Sequence, residues 1–202
     1  MDELIATFIF YFAVIDPIGS VPVFIAATNG LTSQEKRHTA FKAVLVSLLV
    51  LLFFIVAGEL ILDAIGIPLS AFQIAGGIIL FLFALTMIFG ESKPEEEVKL
   101  SGDARDKSIF PLAVPSIASP GAMLAAVMQT ENTLFSLPEQ AQITGVMLLV
   151  LASALILMLA STYVHRIIGD SGASIISRIM GIILASMAVT SVLEGIVAYF
   201  GL

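Results

Sequence analysis

The sequence predicts an all-α membrane protein with six membrane-spanning helices, arranged as two inverted three-helix repeats whose first and fourth helices are broken. Three observations lead to this class. Hydrophobic residues make up 58% of the chain and charged residues only 12%, which is far from the composition of a water-soluble domain. Apolar stretches long enough to cross a hydrocarbon core recur along the chain. Prolines gather in two of these stretches, at corresponding places in the two halves.

The predicted spans cover the chain as a single transmembrane domain, residues 1–202. The first stretch lacks a basic leading segment and stays apolar beyond the length of a signal peptide, so we expect a retained span. The first repeat covers about residues 1–90, a charged cytoplasmic loop about 91–107, and the second repeat about 108–202. We predict spans at residues 4–28, 43–62, 67–89, 109–130, 141–164 and 179–200.

Basic residues predict the orientation of these spans. Short cytoplasmic loops are enriched in Lys and Arg, and all nine basic residues lie in or beside alternate connections. We therefore expect a multi-pass protein of the plasma (inner) membrane with both termini outside. The nine residues are Lys36, Arg37, Lys42, Lys93, Lys99, Arg105, Lys107, Arg166 and Arg178.

Charge and cysteine content limit the function classes. The net charge is -7, and six of the 16 acidic residues lie in the loop at 91–106, so nothing favours nucleic acid as a partner. The chain has no cysteine, which excludes thiol chemistry and thiolate metal sites. We expect neither a cofactor nor a metal.

Two matches between the halves indicate an internal repeat. Asp16-Pro17 matches Ser119-Pro120 at a shift of 103, and the segment 77–80 matches 181–184 at a shift of 104. A repeat of three spans is odd in number, so its second copy enters the membrane from the opposite side. The alternative is chance recurrence of a few apolar letters.

Five of the eight prolines fall in the first and fourth spans, where they interrupt the helix. Broken backbone inside a bilayer is tolerated only where protein or a water-filled cavity surrounds it. Breaks at matching places in two inverted halves therefore predict a central site. The prolines are Pro17, Pro22, Pro111, Pro115 and Pro120.

The residues at the breaks suggest what this site binds. Asp16 and Ser119 each precede a proline, which is typical of a polar cap followed by proline at the first helical position. Gly19 and Gly121 follow closely and would let a ligand approach the exposed amides. Two positive helix ends suit a carboxylate, and Asp16 with freed carbonyls suits an ammonium group, a proton or a sodium ion.

Other readings of these residues stay open. Asp16 could serve only as the cap of its half-helix, although a carboxylate deep in the bilayer is a functional hypothesis by default. Ser20 and Gln73 are polar groups within spans that could line the same cavity, or could simply hydrogen-bond a neighbouring helix.

Two segments carry a family resemblance. The sequences DPIGSVPVF at 16–24 and IFPLAVPSIASPGAM at 109–123 resemble the MarC family of small six-span membrane proteins, and the resemblance covers the whole chain. It implies transport, since some members move small neutral amino acids such as glycine and alanine. Ser119 departs from the family's usual Gly, and Ser20 from its common Asn. The residues carried over are Asp16, Pro17, Gly19, Ser20, Pro22, Pro115, Ser119, Pro120 and Gly121.

We therefore expect a secondary transporter of small neutral amino acids that works by alternating access, with Asp16 coupling transport to a proton or sodium gradient. The alternatives are an ion-conducting pore and a structural or regulatory membrane subunit. An enzyme is not expected, because the deep parts of the spans carry one carboxylate and no His, Lys, Arg or Cys to activate a reaction. Membrane lipid surrounds the protein, and the direction of transport and a homo-oligomeric state stay open.

Overall fold

A computed structural model describes residues 2–89, 106–132 and 135–201, and these residues form helices joined by short connections. Most of the predicted charged loop, including the acidic run at 95–97, lies outside the described residues. In chain order the helices are α1 (Asp2–Ile15), α2 (Ser20–Ala27), α3 (Ser33–Ala64), α4 (Leu69–Phe89), α5 (Ser108–Ile117), α6 (Pro120–Met128), α7 (Leu137–Leu159) and α8 (Ser161–Phe200).

The helices confirm a multi-pass, all-helical membrane protein. Four unbroken stretches are long and apolar enough to cross a membrane: α3, α4, α7 and the part of α8 from Ser171 to Phe200. The pair α1 and α2 gives a fifth candidate span over Glu3–Ala27. The pair α5 and α6 gives a sixth when it is counted as one span bent by 53°. The two broken spans are the first and the fourth, as the prolines predict.

Three predicted boundaries are wrong, for a common reason. Helix α3 begins about ten residues before the predicted span, because Thr32 and Glu35 form a reciprocal capping box at its start. Helix α7 ends at Leu159 and not at 164, and α8 begins at Ser161 with a non-helical Gly169 (φ 64°) ahead of its span. Apolar length locates the membrane part of a helix and not its polar ends, which depend on caps and on glycine.

The broken spans lie at the centre of the bundle. In the most apolar window of the first span 72% of residues are buried, against 17% in α3. Helices α1 and α2 pack against α7 and α8, while α5 and α6 pack against α3 and α4. Each broken span therefore packs mainly on unbroken helices from the other part of the chain.

Helices α4 and α8 form the most extensive helix pair, through small residues spaced seven apart. A Cβ on Gly77 would lie 2.9 Å from the Ala188 carbonyl oxygen, and a Cβ on Gly181 would lie 3.1 Å from the Ala84 carbonyl oxygen. A Cβ on Gly195 would lie 3.1 Å from the carbonyl oxygen of Ser70. As one residue number rises the other falls, so the two helices are antiparallel and their backbones touch.

The backbone opened by the prolines of α5 finds partners inside the protein. Phe110 and Val114 are extended, and each precedes a proline. The Ala113 carbonyl accepts the Ala118 amide at 2.8 Å and the Ser47 hydroxyl of α3 at 3.3 Å. These bonds replace the regular helix ladder, which makes the broken segment tolerable at membrane depth.

Candidate functional site at the helix breaks

Asp16 occupies the break between α1 and α2. It is fully buried (0% exposed) and has a positive φ of 49°, a backbone region that Asp enters more readily than most side chains. Its Oδ1 accepts the Gly19 amide at 3.0 Å, three residues on. Pro17 lies buried in the turn between them. The Asp16 carboxylate therefore closes the turn ahead of α2, but it is not the N-cap that the Asp-Pro pair predicts, because α2 begins only at Ser20 and its N-cap residue is Gly19, without a side-chain cap.

The second carboxylate oxygen of Asp16 serves a different contact. The Ser177 hydroxyl on α8 donates to Asp16 Oδ2 at 2.6 Å, and Ser177 is also 0% exposed. This bond joins the first break to a helix 161 residues away in sequence. A Cβ on Gly19 would overlap the Asp16 carboxylate and would lie 2.6 Å from Ser177 Oγ. The absence of a side chain at residue 19 is what lets these two groups meet.

The second break has a similar hydrogen bond on a different backbone. The Ser119 hydroxyl accepts the Ala122 amide at 3.1 Å, again three residues on, with Pro120 in the first turn of α6. Ser119 is 1% exposed and extended (φ -68°, ψ 159°), which is the usual conformation of an N-cap, whereas Asp16 has a positive φ. Ser119 therefore caps α6, and the positive end of that half-helix begins at a buried residue.

Two serines connect the breaks. The Ser20 hydroxyl donates to the Asp16 carbonyl oxygen at 3.1 Å, and it lies 3.1 Å from the Ser116 hydroxyl of α5. Either serine could donate in the bond between the two hydroxyls. Both serines are 0% exposed. The chain of hydroxyls runs from the first broken span into the fourth.

Tyr11 adds a buried polar atom with no protein partner. It is 0% exposed on α1, and no described residue hydrogen-bonds its hydroxyl. An unpaired buried hydroxyl costs on the order of 1–3 kcal/mol, so such groups usually meet water or a ligand. It lies five residues before Asp16, little more than a helical turn away along α1.

The Asp16 carboxyl group has no basic partner among the described residues. Within residues 2–89, 106–132 and 135–201 the one recorded salt bridge joins Lys42 to Asp106, away from Asp16. Two hydrogen bonds reach the Asp16 carboxylate, yet no cationic side chain compensates it. A buried carboxylate in this setting favours a proton, a metal cation or an ammonium group as its partner. The same ranges contain no group of three or more acidic, His or Cys residues that could hold a metal.

The other predicted site residues lie at varied distances from Asp16. Pro22 is buried within α2, and Pro115 is half-buried in α5. Pro120 is exposed and lines an apolar recess of α3, α4 and α6. A Cβ on Gly121 would lie 3.1 Å from Leu80, so this glycine faces apolar side chains and not the hydroxyl chain.

The structure does not bring Gln73 to the site. Gln73 lies near the start of α4, whereas Arg178, the neighbour of Ser177, donates to the carbonyl oxygen of Ile88 near the end of α4. The two positions are about 22 Å apart along the helix axis, at 1.5 Å per residue. Gln73 is half-buried and is not connected to Asp16 by any recorded hydrogen bond.

Sequence reasoning missed Ser116, Ser177 and Tyr11. Ser116 lies only three residues before Ser119 in the same motif, so the sequence could have predicted that it lies at the second break. Ser177 and Tyr11 gave no comparable signal, because a single hydroxyl in an apolar helix often bonds only its own backbone. What identifies them is the packing of α8 on α1 and α2.

Comparison with known proteins places the chain in a family. A family model described as "MarC family integral membrane protein" matches residues 1–200. The chain is 31% identical over 202 residues to a UPF0056 membrane protein of Buchnera aphidicola, covering 99% of each chain. It is 32% identical over 196 residues to a UPF0056 membrane protein of Aquifex aeolicus, covering 95% of this chain and 91% of the relative.

A bacterial relative with a more specific name gives a similar match. The chain is 32% identical over 197 residues to the UPF0056 inner membrane protein YhgN of Escherichia coli, covering 97% of each chain. No solved structure matches the chain. Because both the family model and these relatives match nearly the whole chain, the protein belongs to the MarC family of integral membrane proteins.

Proposed function

We propose that this protein is a secondary transporter of small neutral amino acids, coupled to a proton or sodium ion. The observation that carries the proposal is Asp16: a buried carboxylate at a helix break, bonded to Ser177 of a distant helix, with no cationic partner among the described residues. Half-helix starts and freed carbonyls at membrane depth are how many secondary transporters bind substrates and ions.

The polarity of the site favours a zwitterion. The positive helix end after Ser119 suits a substrate carboxylate, while Asp16 suits its ammonium group or the coupled cation. No basic residue lies at the breaks to compensate an acidic substrate side chain.

An inverted repeat would supply the two alternating states, and several local correspondences support it. The side-chain hydrogen bonds at the breaks match at a shift of 103, Asp16 with Gly19 and Ser119 with Ala122. The start of α3, where Thr32 caps with Glu35, matches the start of α7, where Ser136 caps with Glu139, at a shift of 104.

Helix packing supports the same relation. Gly77 meets Ala188 and Val192, and at a shift of 104 their counterparts Gly181, Ala84 and Ile88 meet each other. Helices α1 and α2 of the first half pack on α7 and α8 of the second half, and α5 and α6 of the second half pack on α3 and α4 of the first. A two-fold relation between the halves would produce this reciprocal packing. We infer that the halves are inverted copies and that one rocks against the other around the breaks.

We also propose that the protein lies in the inner membrane with both termini outside. Its relative in Escherichia coli is named an inner membrane protein, and the basic residues of this chain lie in alternate connections. The described end that carries Lys36, Arg37 and Lys42 would then face the cytoplasm.

Counterflow of labelled alanine or glycine in proteoliposomes tests the function. We expect saturable exchange by the wild type, strongly reduced exchange by Asp16→Asn, and unchanged exchange by Asp63→Asn. Asp63 is the matched control because it is an exposed carboxylate near the end of α3. Circular dichroism before reconstitution checks that each variant is folded.

Three results would contradict the carrier. Normal exchange by Asp16→Asn with unchanged ion dependence removes Asp16 from the mechanism. Flux that never saturates indicates a pore, although the burial of Asp16, Ser20, Ser116 and Ser119 favours an occluded site. No exchange of any neutral amino acid by folded protein favours a subunit role.

A further inference from the structure

A second polar site lies at the end of the bundle where α2 and α7 end and α3 and α8 begin. It is a cleft of about 170 Å³, which we call the basic cleft, and it contains none of the residues at the helix breaks. Its lining combines two cations, three hydroxyls and three apolar side chains: Lys36, Arg37, Ser33, Ser161, Thr162, Phe24, Met158 and Leu159.

The two cations of the basic cleft have no acidic partner in the described part of the chain. Lys36 is half-buried and Arg37 is exposed, and neither takes part in a recorded ion pair. The nearest acid along α3 is Glu35, which turns back to accept the Thr32 amide at 2.8 Å and the Thr32 hydroxyl at 2.7 Å. Glu35 lines a separate depression, so the cleft presents positive charge.

The Ser161 hydroxyl also faces this cleft, without a partner in the described part of the chain. Ser161 is only 7% exposed as a residue, lines the cleft, and has no recorded hydrogen bond to any described residue. Ser33 and Ser161 are the first residues of α3 and α8, so the first amides of two helices lie at this end, beside the last carbonyl groups of α2 and α7. Cations, hydroxyls and helix N-termini together are the donor set that proteins use for phosphate oxygens.

The surroundings of the basic cleft suit a lipid. Its floor is apolar, with Phe24 and Met158 almost fully buried, while Leu159 is 44% exposed at its edge. Large exposed apolar side chains follow along the same two helices, α3 and α8, among them Phe41, Leu45, Tyr163 and Ile167. A headgroup in the cleft would leave its acyl chains against these side chains. A freely soluble anion would gain nothing from them.

We propose that the basic cleft binds the phosphate group of an anionic membrane lipid. Lys36 and Arg37 neutralise the phosphate, and the Ser161 hydroxyl donates to one of its oxygens. Occupancy ties the ends of α2 and α7 to the starts of α3 and α8. The bound lipid therefore stabilises the end of the bundle at which both broken and unbroken spans converge.

Native mass spectrometry with added phosphatidylglycerol or phosphatidylcholine tests this site. We expect Lys36→Gln/Arg37→Gln to weaken phosphatidylglycerol retention roughly tenfold or more, since each basic residue near a membrane surface attracts anionic lipid. Ser161→Ala should weaken it by a smaller factor. The matched control is Lys107→Gln/Arg166→Gln, which removes the same charge without touching the cleft lining. Circular dichroism melting confirms that all four proteins are folded.

The outcomes separate the sources of the phosphate. Selective loss of phosphatidylglycerol in the cleft variant, with the control unchanged, supports the lipid site. Displacement of the lipid by millimolar inorganic phosphate, absent in the cleft variant, also places phosphate recognition in the cleft. Equal losses in the cleft variant and the control overturn the proposal, because the effect would then be general surface charge. Equal retention of the two lipids by the wild type overturns it as well.

Discussion

At the scale of single residues, the hydrogen bond between Asp16 and Ser177 depends on Gly19, a residue without a side chain. Gly19 supplies an amide to one carboxylate oxygen and leaves space for the Ser177 hydroxyl to reach the other. The turn at the break, the Gly19–Asp16 hydrogen bond and the Ser177–Asp16 hydrogen bond therefore all depend on this one glycine. A change there alters the geometry of the carboxylate without altering its charge.

Gly19→Ala should abolish most transport while the fold persists. The added methyl overlaps the Asp16 carboxylate and must displace it or Ser177. We expect a roughly tenfold or greater loss of alanine counterflow, since displacements near 1 Å in a binding constellation have effects of this size. Gly145→Ala is the control, because nothing lies within 4 Å of a Cβ at that residue. Equal counterflow by the two variants would show that the carboxylate position is unimportant.

Asp106 gives a pH-dependent contribution to stability at the polar end of α3. The Lys42 ammonium and the Ser108 hydroxyl lower the pKa of Asp106 to about 2. A lowered carboxyl pKa stabilises the fold above the ordinary value of 3.8, and this stabilisation is lost as the pH falls through about 2. Both side chains are about two-fifths exposed, so solvent screening holds the contribution to about 1 kcal/mol or less.

Asp106→Asn should therefore lower the melting temperature slightly at pH 6 and cease to differ from the wild type near pH 2. Circular dichroism in detergent measures both. Asp63→Asn serves as the control, since Asp63 has no ion pair within the described ranges. A difference that stays constant from pH 6 to pH 2 would argue against the pairing with Lys42.

The two helix breaks and the polar residues beside them could be predicted from sequence. Their hydrogen-bond partners on other helices could not. Asp16 and Ser119 precede prolines, and the chemistry of proline fixes both the break and the cap within a few residues. Ser177 depends on which face of α8 meets the first break, a matter of packing between distant segments. Gln73 is predicted to line the site from its polarity alone, and polarity does not determine at which end of a helix a residue lies.

At the scale of helices, the antiparallel pair α4 and α8 owes its close approach to glycine. The atoms that a Cβ would meet at Gly77 and Gly181 include backbone carbonyl oxygens, which cannot move aside as a side chain can. Both glycines lie in segments recognisable as matching in sequence, 77–80 and 181–184. The sequence match therefore predicts where α4 and α8 pack together. The seven-residue spacing of their contacts is seen only in the structure.

Gly77→Ala and Gly181→Ala should each destabilise the protein by about 1–3 kcal/mol, the usual cost of overpacking. Because the two contacts are reciprocal, the two losses should be similar. Thermal melting followed by circular dichroism measures them, again against Gly145→Ala, which should be neutral or stabilising in its helix. A large loss of stability at one glycine and none at the other would contradict the equivalence of the two contacts.

At the scale of the whole molecule, the proposed transport mechanism requires six spans with a defined orientation across the membrane. The chain contains no cysteine, so any introduced cysteine is the sole target for a thiol reagent. Exposed residues are present at both ends: Asp63 lies near the end of α3 and Asn132 follows α6, while Gln34 and Arg166 lie near the starts of α3 and α8. Each can be replaced without touching the hydrogen bonds of Asp16.

A membrane-impermeant maleimide should label Asp63→Cys and Asn132→Cys in spheroplasts, because these residues lie at the end predicted to face outward. Gln34→Cys and Arg166→Cys should be labelled only after the membrane is permeabilised, since the basic connections are expected inside. The cysteine-free wild type shows the background. Labelling of the first pair only after permeabilisation would invert the orientation while keeping the spans. Labelling of Asp63→Cys and Asn132→Cys from opposite sides would rule out six spans, and with them the inverted relation of the halves on which alternating access depends.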